Sequence, residues 1–187
     1  MSAREIQILL LSGSLRARST NTAVLQTART FAPDGTTAEL YDEMATLPHF
    51  NPDHDLEGEP VNPAVAELRA RIAAADALLL CTPEYAGALP GALKNLLEWT
   101  VGDGGLYGKP IAWINASGPA APTGAADAHQ SLRKVLGYVG ADLVSAACVR
   151  IPLTRDAVGP DGILISVTAR REIADTLTTL ARHAAAA

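Results

Sequence analysis

Residues 9–23 read LLLSGSLRARSTNTA. A run of leucines ends at Ser12 and gives way to a loop of glycine, hydroxyl groups and arginine, after which Asn21 opens a helical pattern. Serine, threonine and asparagine are preferred caps of a helix N-terminus, so residues 19–21 are predicted to hold the cap. A strand that leads through such a loop into a helix is typical of proteins built on a parallel sheet.

The rest of the chain repeats this strand–loop–helix pattern. Predicted strands cover residues 7–11, 37–41, 77–81, 111–114 and 142–151. Predicted helices cover residues 21–31, 63–74, 90–99, 124–139 and 166–183. The alternation predicts a single α/β domain over residues 1–187, with a flavodoxin-like, doubly wound, five-stranded parallel sheet of order 2-1-3-4-5 and helices on both faces. A classical Rossmann sheet would usually need a sixth strand and more chain. In either sheet, the loops that leave the first, third and fourth strands are expected to carry the ligand site.

Composition narrows the class of protein. The 187 residues are 48% hydrophobic and carry a net charge of −5, which is atypical of disordered chains and argues against nucleic acid or an anionic membrane as the partner. No apolar stretch approaches the roughly 18 residues of a membrane span, and the first apolar run is too short for a signal peptide. We therefore expect a cytoplasmic protein. Cys81 and Cys148 each lie in an apolar run and are predicted to be free, buried thiols.

The first loop has the chemistry of a phosphate site. A helix N-terminus presents unpaired N–H groups, and an arginine adds a planar fork for two oxygens. The loop has neither the P-loop pattern nor G-x-G-x-x-G, although Asp42 and Glu43 after the second strand leave a degenerate NAD site open. A terminal monophosphate fits better than a bridging pyrophosphate. The predicted contacts are Ser12, Ser14, Arg16, Ser19, Thr20 and Asn21.

The loop after the third predicted strand lies within CTPEYAGALPGALKNLLEW, residues 81–99. Pro83 keeps the chain extended at the end of the strand, and Pro90 can begin the following helix. Glu84 and Tyr85 should therefore lie at the same edge of the sheet as the first loop. Backbone N–H groups here could bind the edge of a flat heterocycle, with Tyr85 stacked on or beside it.

Together, SGSLRARSTN and PEYAGALPGALKNLLEW resemble the NADPH-dependent FMN reductase family, the flavodoxin-like group that includes quinone, chromate and azo reductases. LYGKPIAWINASG and SLRKVLGYVGADLV continue the resemblance over roughly residues 5 to 150. It implies FMN as the cofactor and NADPH or NADH as the electron donor. It also implies that Ser14, Arg16, Ser19 and Asn21 bind the phosphate. The isoalloxazine loop would be formed by Pro83, Glu84 and Tyr85, and the third loop by Ser117 and Gly118.

Two positions depart from the family pattern. The residue after Tyr85 is commonly asparagine and is Ala86 here, so one polar contact to flavin or substrate is absent. The third loop, SGPAAPTGAADA, carries alanine and proline where paired glycines are frequent. We expect the protein to bind flavin despite both changes, whereas its preference among electron acceptors can differ from that of the family.

The resemblance implies a ping-pong reaction, in which the nicotinamide donor and then a small acceptor use the flavin. A quinone, a free flavin, an azo compound or an oxidised metal would be the acceptor. No side chains form a catalytic constellation, which agrees with a cofactor that supplies the chemistry. A metal site is not expected, since PDHD at residues 52–55 is better explained as a solvated loop. Two alternatives remain: a non-catalytic flavodoxin-type electron carrier, and a ligand-responsive FMN-binding protein.

A homodimer or homotetramer is also expected. The third predicted helix has more apolar positions than one core-facing stripe needs, which suggests a partner. These positions are Leu89, Leu93, Leu96, Leu97 and Trp99. The alternative is that they pack under the fourth helix. The long connection over residues 43–63 could reach a neighbouring subunit. Lys94 and Glu98 are predicted to form a solvated i,i+4 pair. The resembled family commonly forms dimers, often paired into tetramers.

Overall fold

The computed structural model describes residues 4–187. The strands are β1 (Ile6–Ser12), β2 (Thr36–Tyr41), β3 (Ala77–Cys81), β4 (Pro110–Asn115), β5 (Asp142–Leu143) and β6 (Val149–Arg150). The helices are α1 (Thr20–Thr30), α2 (Pro63–Ala74), α3 (Gly91–Glu98), α4 (Ala126–Tyr138) and α5 (Val167–Ala184). Each predicted helix is present, with its ends shifted by at most a few residues.

The sheet has the order β2-β1-β3-β4-β5, and all of its pairings are parallel. This confirms the predicted flavodoxin-like topology. The central strands are apolar along almost their whole length because helices cover both faces. The order reverses between β1 and β3, so the loops that leave these strands meet at the switch point where such folds bind ligands.

The fifth strand differs from the prediction of one strand over residues 142–151. The chain pairs with β4 through β5, leaves the sheet in a 3₁₀ turn at Ser145–Ala147, and pairs with β4 again through β6. The apolar run over residues 142–151 does not form one continuous strand. Ala147 is buried in the core, whereas Cys148 and Val149 only pack against it. Hydrophobicity alone does not distinguish a continuous edge strand from an interrupted one.

Two hydrophobic clusters fill the space on either side of the sheet. One joins it to α1 and α5, and the other joins it to α2, α3 and α4. The apolar residues of the α3 region, predicted to exceed the needs of the core, all lie in the second cluster with Leu132 and Leu136 of α4. Each of them is at most 8% exposed, so they belong to the core and the argument for a partner based on them is wrong.

The connection over residues 43–63 packs against its own chain rather than extending away from it. The Pro48 carbonyl accepts hydrogen bonds from Asn95 Nδ2 at 2.9 Å and from Trp99 Nε1 at 2.8 Å. Phe50 meets the Trp99 ring edge to face, with centroids 5.0 Å apart. Arg69 of α2 binds the Asp55 carboxylate at 2.7 Å. These contacts fix the connection across α2 and α3.

Two further expectations concern the charged pair on α3 and the two cysteines. Lys94 and Glu98 form the predicted pair, with Nζ and Oε1 2.6 Å apart. Cys81 and Cys148 are both free thiols, the first buried and the second only partly so. In residues 4–187, none of the helices combines the length and the apolar character that a membrane crossing requires.

Candidate functional site

The loop after β1 is shaped by its own hydroxyl groups. Ser12 Oγ lies 2.8 Å from Thr22 Oγ1 and accepts the Ser14 N–H at 3.3 Å. Ser14 Oγ in turn accepts the Arg16 N–H at 3.3 Å. Ser14 is buried. The loop is therefore held in one shape before any ligand arrives.

The N-terminus of α1 is left open by this loop. Ser19 holds the cap position with an extended backbone, but its side chain accepts no capping hydrogen bond. The first N–H groups of the helix consequently lack the partner that a serine cap usually gives them. Among residues 4–187, the Arg16 guanidinium makes a single, long hydrogen bond, 3.5 Å, to the Arg18 carbonyl. Free N–H groups beside a free guanidinium are the arrangement that binds a phosphate.

The first two loops approach each other closely at Gly13. Its N–H donates to the Cys81 carbonyl at 2.9 Å. A Cβ on Gly13 would lie 2.1 Å from Thr82 Oγ1 and 3.0 Å from Thr82 Cα. The Cys81 thiol donates to Asn21 Oδ1 at 3.3 Å, which ties α1 to the end of β3, and burial raises the pKa of this thiol far above its usual range. Asn21 thus helps to join the loops, and Cys81 is an unreactive structural thiol.

The loop after β3 presents Tyr85 on a tight turn. The Tyr85 N–H donates to the Ala88 carbonyl at 3.0 Å, and the Ala88 N–H returns the bond at 3.1 Å. Between them Ala86 has φ of 52° and Gly87 has φ of 71°. Such turns favour Asn-Gly because asparagine tolerates the left-handed region. Tyr85 is 46% exposed at the carboxyl edge of the sheet, so its ring is available to a ligand.

The left-handed alanine gives a direct test of this turn. Replacing Ala86 by glycine is expected to raise the free energy of unfolding by about 1 kcal/mol, because the Cβ clash disappears. In thermal unfolding the midpoint should rise by about 2–4 °C. Ala92→Gly, inside α3, is the matched control and should lower stability by about 0.5–1 kcal/mol. A lower midpoint for Ala86→Gly would contradict the strained turn.

Glu84 joins this loop to the one after β4. Its carboxylate accepts hydrogen bonds from Thr123 Oγ1 at 2.6 Å and from the Ala128 N–H at 3.1 Å. We call this set of contacts the Glu84 clasp. The Thr123 hydrogen bond, followed by that from Ala128, holds the pKa of Glu84 below the usual glutamate range. The clasp positions the two loops relative to each other. That Glu84 also contacts a flavin remains a prediction.

The third loop is closed on itself. Ser117 Oγ lies within hydrogen-bonding distance of Asn115 Oδ1, at 2.7 Å, and of the Gly124 carbonyl, at 2.6 Å. Asn115 Nδ2 donates to the same carbonyl at 2.8 Å. A Cβ on Gly118 would lie 2.8 Å from the Leu153 carbonyl, so this position requires glycine. The structure therefore brings the predicted residues of the three loops to one edge of the sheet, and their contacts with a ligand remain predictions.

The clasp predicts a dependence on pH. Because the pKa of Glu84 is lower in the folded protein than in the unfolded chain, the clasp is complete above the ordinary carboxyl range and is lost as the pH falls through the lowered value. Retention of a flavin, followed by its fluorescence, should therefore weaken as the pH falls below the ordinary carboxyl range. Glu84→Gln should bind more weakly at neutral pH and lack this acid limb. Glu172→Gln, exposed on α5, should keep the wild-type profile. A Glu84→Gln profile identical to that of the wild type would show that the clasp has no such role.

Sequence reasoning missed Thr82 and Thr123. Both are single hydroxyl residues in loops, and nothing in their local pattern marks them. Each acts on a residue from another loop, Thr82 by limiting the space at Gly13 and Thr123 by holding Glu84.

Comparison with known proteins agrees with this geometry. Residues 6–155 match the model of the family described as NADPH-dependent FMN reductase. The chain belongs to this family. The match covers β1 to β6 and therefore all three loops of the site.

Individual relatives extend the comparison. The chain is 37% identical over 178 residues to an NAD(P)H-dependent FMN reductase of Pseudomonas aeruginosa, covering 94% of each protein. It is 31% identical over 169 residues to a 2-hydroxy-1,4-benzoquinone reductase of a Burkholderia species, covering 89% of each. Among solved structures, the flavoenzyme NAD(P)H:(acceptor) oxidoreductase FerB of Paracoccus denitrificans has a TM-score of 0.78 at 26% identity, covering 95% of this chain and 98% of that one.

The residues of this member of the FMN reductase family fit an FMN phosphate. The fit rests on the uncapped first turn of α1, the weakly engaged Arg16 guanidinium and the buried Ser14 of the preshaped loop. In residues 4–187, no group of three or more His, Cys, Asp or Glu side chains is placed to hold a metal ion.

Proposed function

We propose that the protein is an FMN-dependent NAD(P)H oxidoreductase that passes a hydride from a nicotinamide donor to a small acceptor, such as a quinone, a free flavin, an azo compound or an oxidised metal. One observation carries the proposal: the open N-terminus of α1 and Arg16 lie at the same sheet edge as the exposed Tyr85 turn. A phosphate site beside an aromatic loop suits a flavin mononucleotide. The names of the relatives supply the reaction class.

FMN, when bound, supplies the hydride chemistry. The residues of the chain bind and orient it. Arg16 and the first turn of α1 would hold the phosphate, the Tyr85 turn would lie beside the ring, and the Glu84 clasp positions the loops after β3 and β4 relative to each other. No side chain has to move a proton for the donor half of the reaction. The site therefore has to hold the ring and the donor in fixed positions. The clasp and the Gly13 contact fix the loops that would do so.

The test is a reduction assay on purified protein loaded with FMN. We expect NADPH or NADH to bleach the flavin under anaerobic conditions, and a benzoquinone to restore its colour. Flavin that is retained but not reduced by either nicotinamide would favour the electron carrier or the ligand-responsive protein. Failure to retain FMN would reject both the proposed function and these alternatives.

We further propose that the protein acts in the cytoplasm. Two cysteines that remain unpaired in the fold are typical of a reducing compartment.

A homodimer is also proposed, through a surface that α3 shares with α4. A groove of about 560 Å³ lies between α3 and α4. Its lining is mostly apolar, and its rim includes Tyr138, 88% exposed, and Val101, 51% exposed. Lys134 lines the groove on α4, whereas Lys94 and Glu98 line it on α3 and already pair with each other, so the apolar lining rather than charge favours a contact with a second copy. Exposed aromatic surface of this kind is typical of an interface.

Replacing Tyr138 by lysine tests this surface. Sedimentation at micromolar concentration should show a dimer or tetramer for the wild type and a monomer for Tyr138→Lys, because the contact would have to bury a charge. Val167→Lys, at a residue 70% exposed on α5, is the matched control and should leave the assembly intact. A monomeric wild type that retains flavin and activity would defeat the proposal.

A further inference from the structure

The first turn of α4 has no cap from its own sequence. Ala125 holds the N-cap position in the left-handed region, with φ of 59°, and its side chain cannot accept a hydrogen bond. The Glu84 carboxylate, from the loop after β3, supplies the missing acceptor by binding the Ala128 N–H at 3.1 Å. The Glu84 clasp therefore depends on Ala125 and the first turn of α4 keeping their positions.

His129 is the side chain that fixes this turn. Its Nδ1 lies 2.7 Å from the Ala125 carbonyl oxygen, and its backbone N–H donates to the same oxygen at 3.2 Å. Because a carbonyl oxygen only accepts, Nδ1 carries the proton and Nε2 is the unprotonated nitrogen of the neutral ring. A left-handed alanine costs about 1 kcal/mol or more, so the two hydrogen bonds help to hold Ala125 in that conformation.

The other nitrogen of this ring is buried without a partner. His129 is 7% exposed, and among residues 4–187 no group forms a hydrogen bond with its Nε2. The ring lies beside the Trp113 indole of β4, with centroids 5.6 Å apart, and the Arg133 guanidinium lies 5.2 Å from the centre of that indole. A proton on Nε2 would thus create a buried N–H donor with no acceptor, beside an aromatic ring and near a cation.

The charged groups around His129 do not offset its burial. Burial holds the pKa of His129 below the usual histidine value, and it outweighs the bond to Ala125 and the Glu84 carboxylate, which both act in the opposite direction. The remaining groups nearby are Asp127 and Arg133 of α4, the Cys148 thiol before β6 and the Arg150 guanidinium against Gly124. Burial raises the pKa of Cys148, so this thiol carries no charge at neutral pH.

We propose that His129 is a positioning residue for the flavin site. Its neutral ring holds Ala125 and the first turn of α4 in place for the Glu84 clasp, and a proton taken up from solvent at Nε2 releases them. The inference rests on the proposed function, because the clasp joins two loops that are predicted to border the flavin. Once protonated, the ring has to leave its buried position to hydrate the new N–H group, and the hydrogen bond to Ala125 is then lost.

The direction of the pH dependence follows from the burial of the ring. The ring takes up its proton more readily when the turn is open than when it is closed, because the closed turn lowers its pKa. The closed turn is thus favoured at neutral pH, and this preference is lost as the pH falls from the ordinary histidine range towards the lowered value. The loss begins at a higher pH than protonation of Glu84, since carboxyl groups titrate in a more acidic range.

Amide hydrogen exchange at Asp127 and Ala128 tests the proposal on the full chain without flavin. In the wild type, the protection of these amides should decline as the pH falls through the histidine range. His129→Asn should remove this decline and keep the protection at neutral pH, because its amide N–H can reach the same carbonyl and does not titrate. His129→Phe should be about 3- to 10-fold less protected at neutral pH, the range for one hydrogen bond. His54→Asn, exposed in the connection over residues 43–63, is the control and should keep the wild-type profile.

FMN affinity, measured by the change in flavin fluorescence, is the second readout. At neutral pH we expect His129→Asn to bind FMN as the wild type does and His129→Phe to bind it about 3- to 10-fold more weakly. On the acid side of the histidine range, His129→Asn should bind FMN more tightly than the wild type, because it has no ring to protonate.

Three results would overturn the assignment. A decline in protection that persists in His129→Asn would show that another group titrates, and wild-type protection in His129→Phe would show that the bond to Ala125 positions nothing. Changed protection with unchanged FMN affinity would show that the turn is not part of the flavin site. Failure of the proposed function has a separate signature, because a wild type that retains FMN would then be reduced by neither NADPH nor NADH while the exchange profiles stay as expected.

Discussion

Replacing Gly13 by alanine is expected to lower the free energy of unfolding by about 1–3 kcal/mol and to impair FMN binding strongly. The added methyl group would lie 2.1 Å from Thr82 Oγ1 and 2.6 Å from Thr82 Cβ. Rotation of the Thr82 side chain cannot relieve this contact fully, since Thr82 Cα is also only 3.0 Å away. The loops after β1 and β3 must therefore separate, and these are the loops predicted to hold the phosphate and the ring.

Thermal unfolding and flavin titration measure the two effects. The midpoint should fall by about 2–4 °C for each 1 kcal/mol lost. Gly137→Ala is the matched control, because its Cβ would meet nothing within 4 Å and it lies inside α4. That variant should be more stable by about 0.5–1 kcal/mol and bind FMN normally. If Gly13→Ala kept the stability and the flavin affinity of the wild type, the loops could separate without loss of either, and the prediction would be wrong.

Arg16→Ala is expected to weaken FMN by about 10- to 150-fold, which corresponds to about 1.5–3 kcal/mol for a hydrogen bond to a charged group. The side chain is exposed, and its one hydrogen bond, to the Arg18 carbonyl, is long. Truncation should therefore cost the fold little, so the loss would report on the ligand. Arg16→Lys should recover part of the affinity, because it keeps the charge without the planar fork. Unchanged FMN affinity in Arg16→Ala would show that Arg16 does not bind the phosphate.

The fold was predictable because its signals are local and repeated. Apolar runs of strand length alternate with helical segments, and this alternation predicts the parallel sheet, while the number of predicted strands and the chain length favour its order. The position of the helix start at Ser19 was likewise predictable from residue type, although its side chain makes no capping hydrogen bond, whereas the Tyr85 turn was not predicted because it places Ala86 in the left-handed region. Given the topology, the carboxyl ends of β1, β3 and β4 must converge, so the three loops of the site follow from the order of the strands.

The remaining features depend on residues that are distant in sequence. Thr123 forms a hydrogen bond with Glu84, which is 39 positions away in the sequence, and no local pattern predicts that contact. The leucines of the α3 region could have faced a partner or the core of their own chain, and only the packing of the whole fold decides which. The interruption between β5 and β6 was not predictable for a similar reason, because apolar runs occur both in strands and in buried turns. Sequence therefore predicted which strand ends carry the three loops, and it did not predict the contacts that hold these loops.

The interrupted strand has a consequence for how the folded chain behaves among its own copies. A long, straight outermost strand would offer a row of unused N–H and C=O groups to any other extended chain. Here the two strand segments at that border contain two residues each, and the 3₁₀ turn at Ser145–Ala147 separates them. An incoming strand would find no continuous ladder to extend. This border of the sheet thus resists the strand-by-strand addition that begins aggregation.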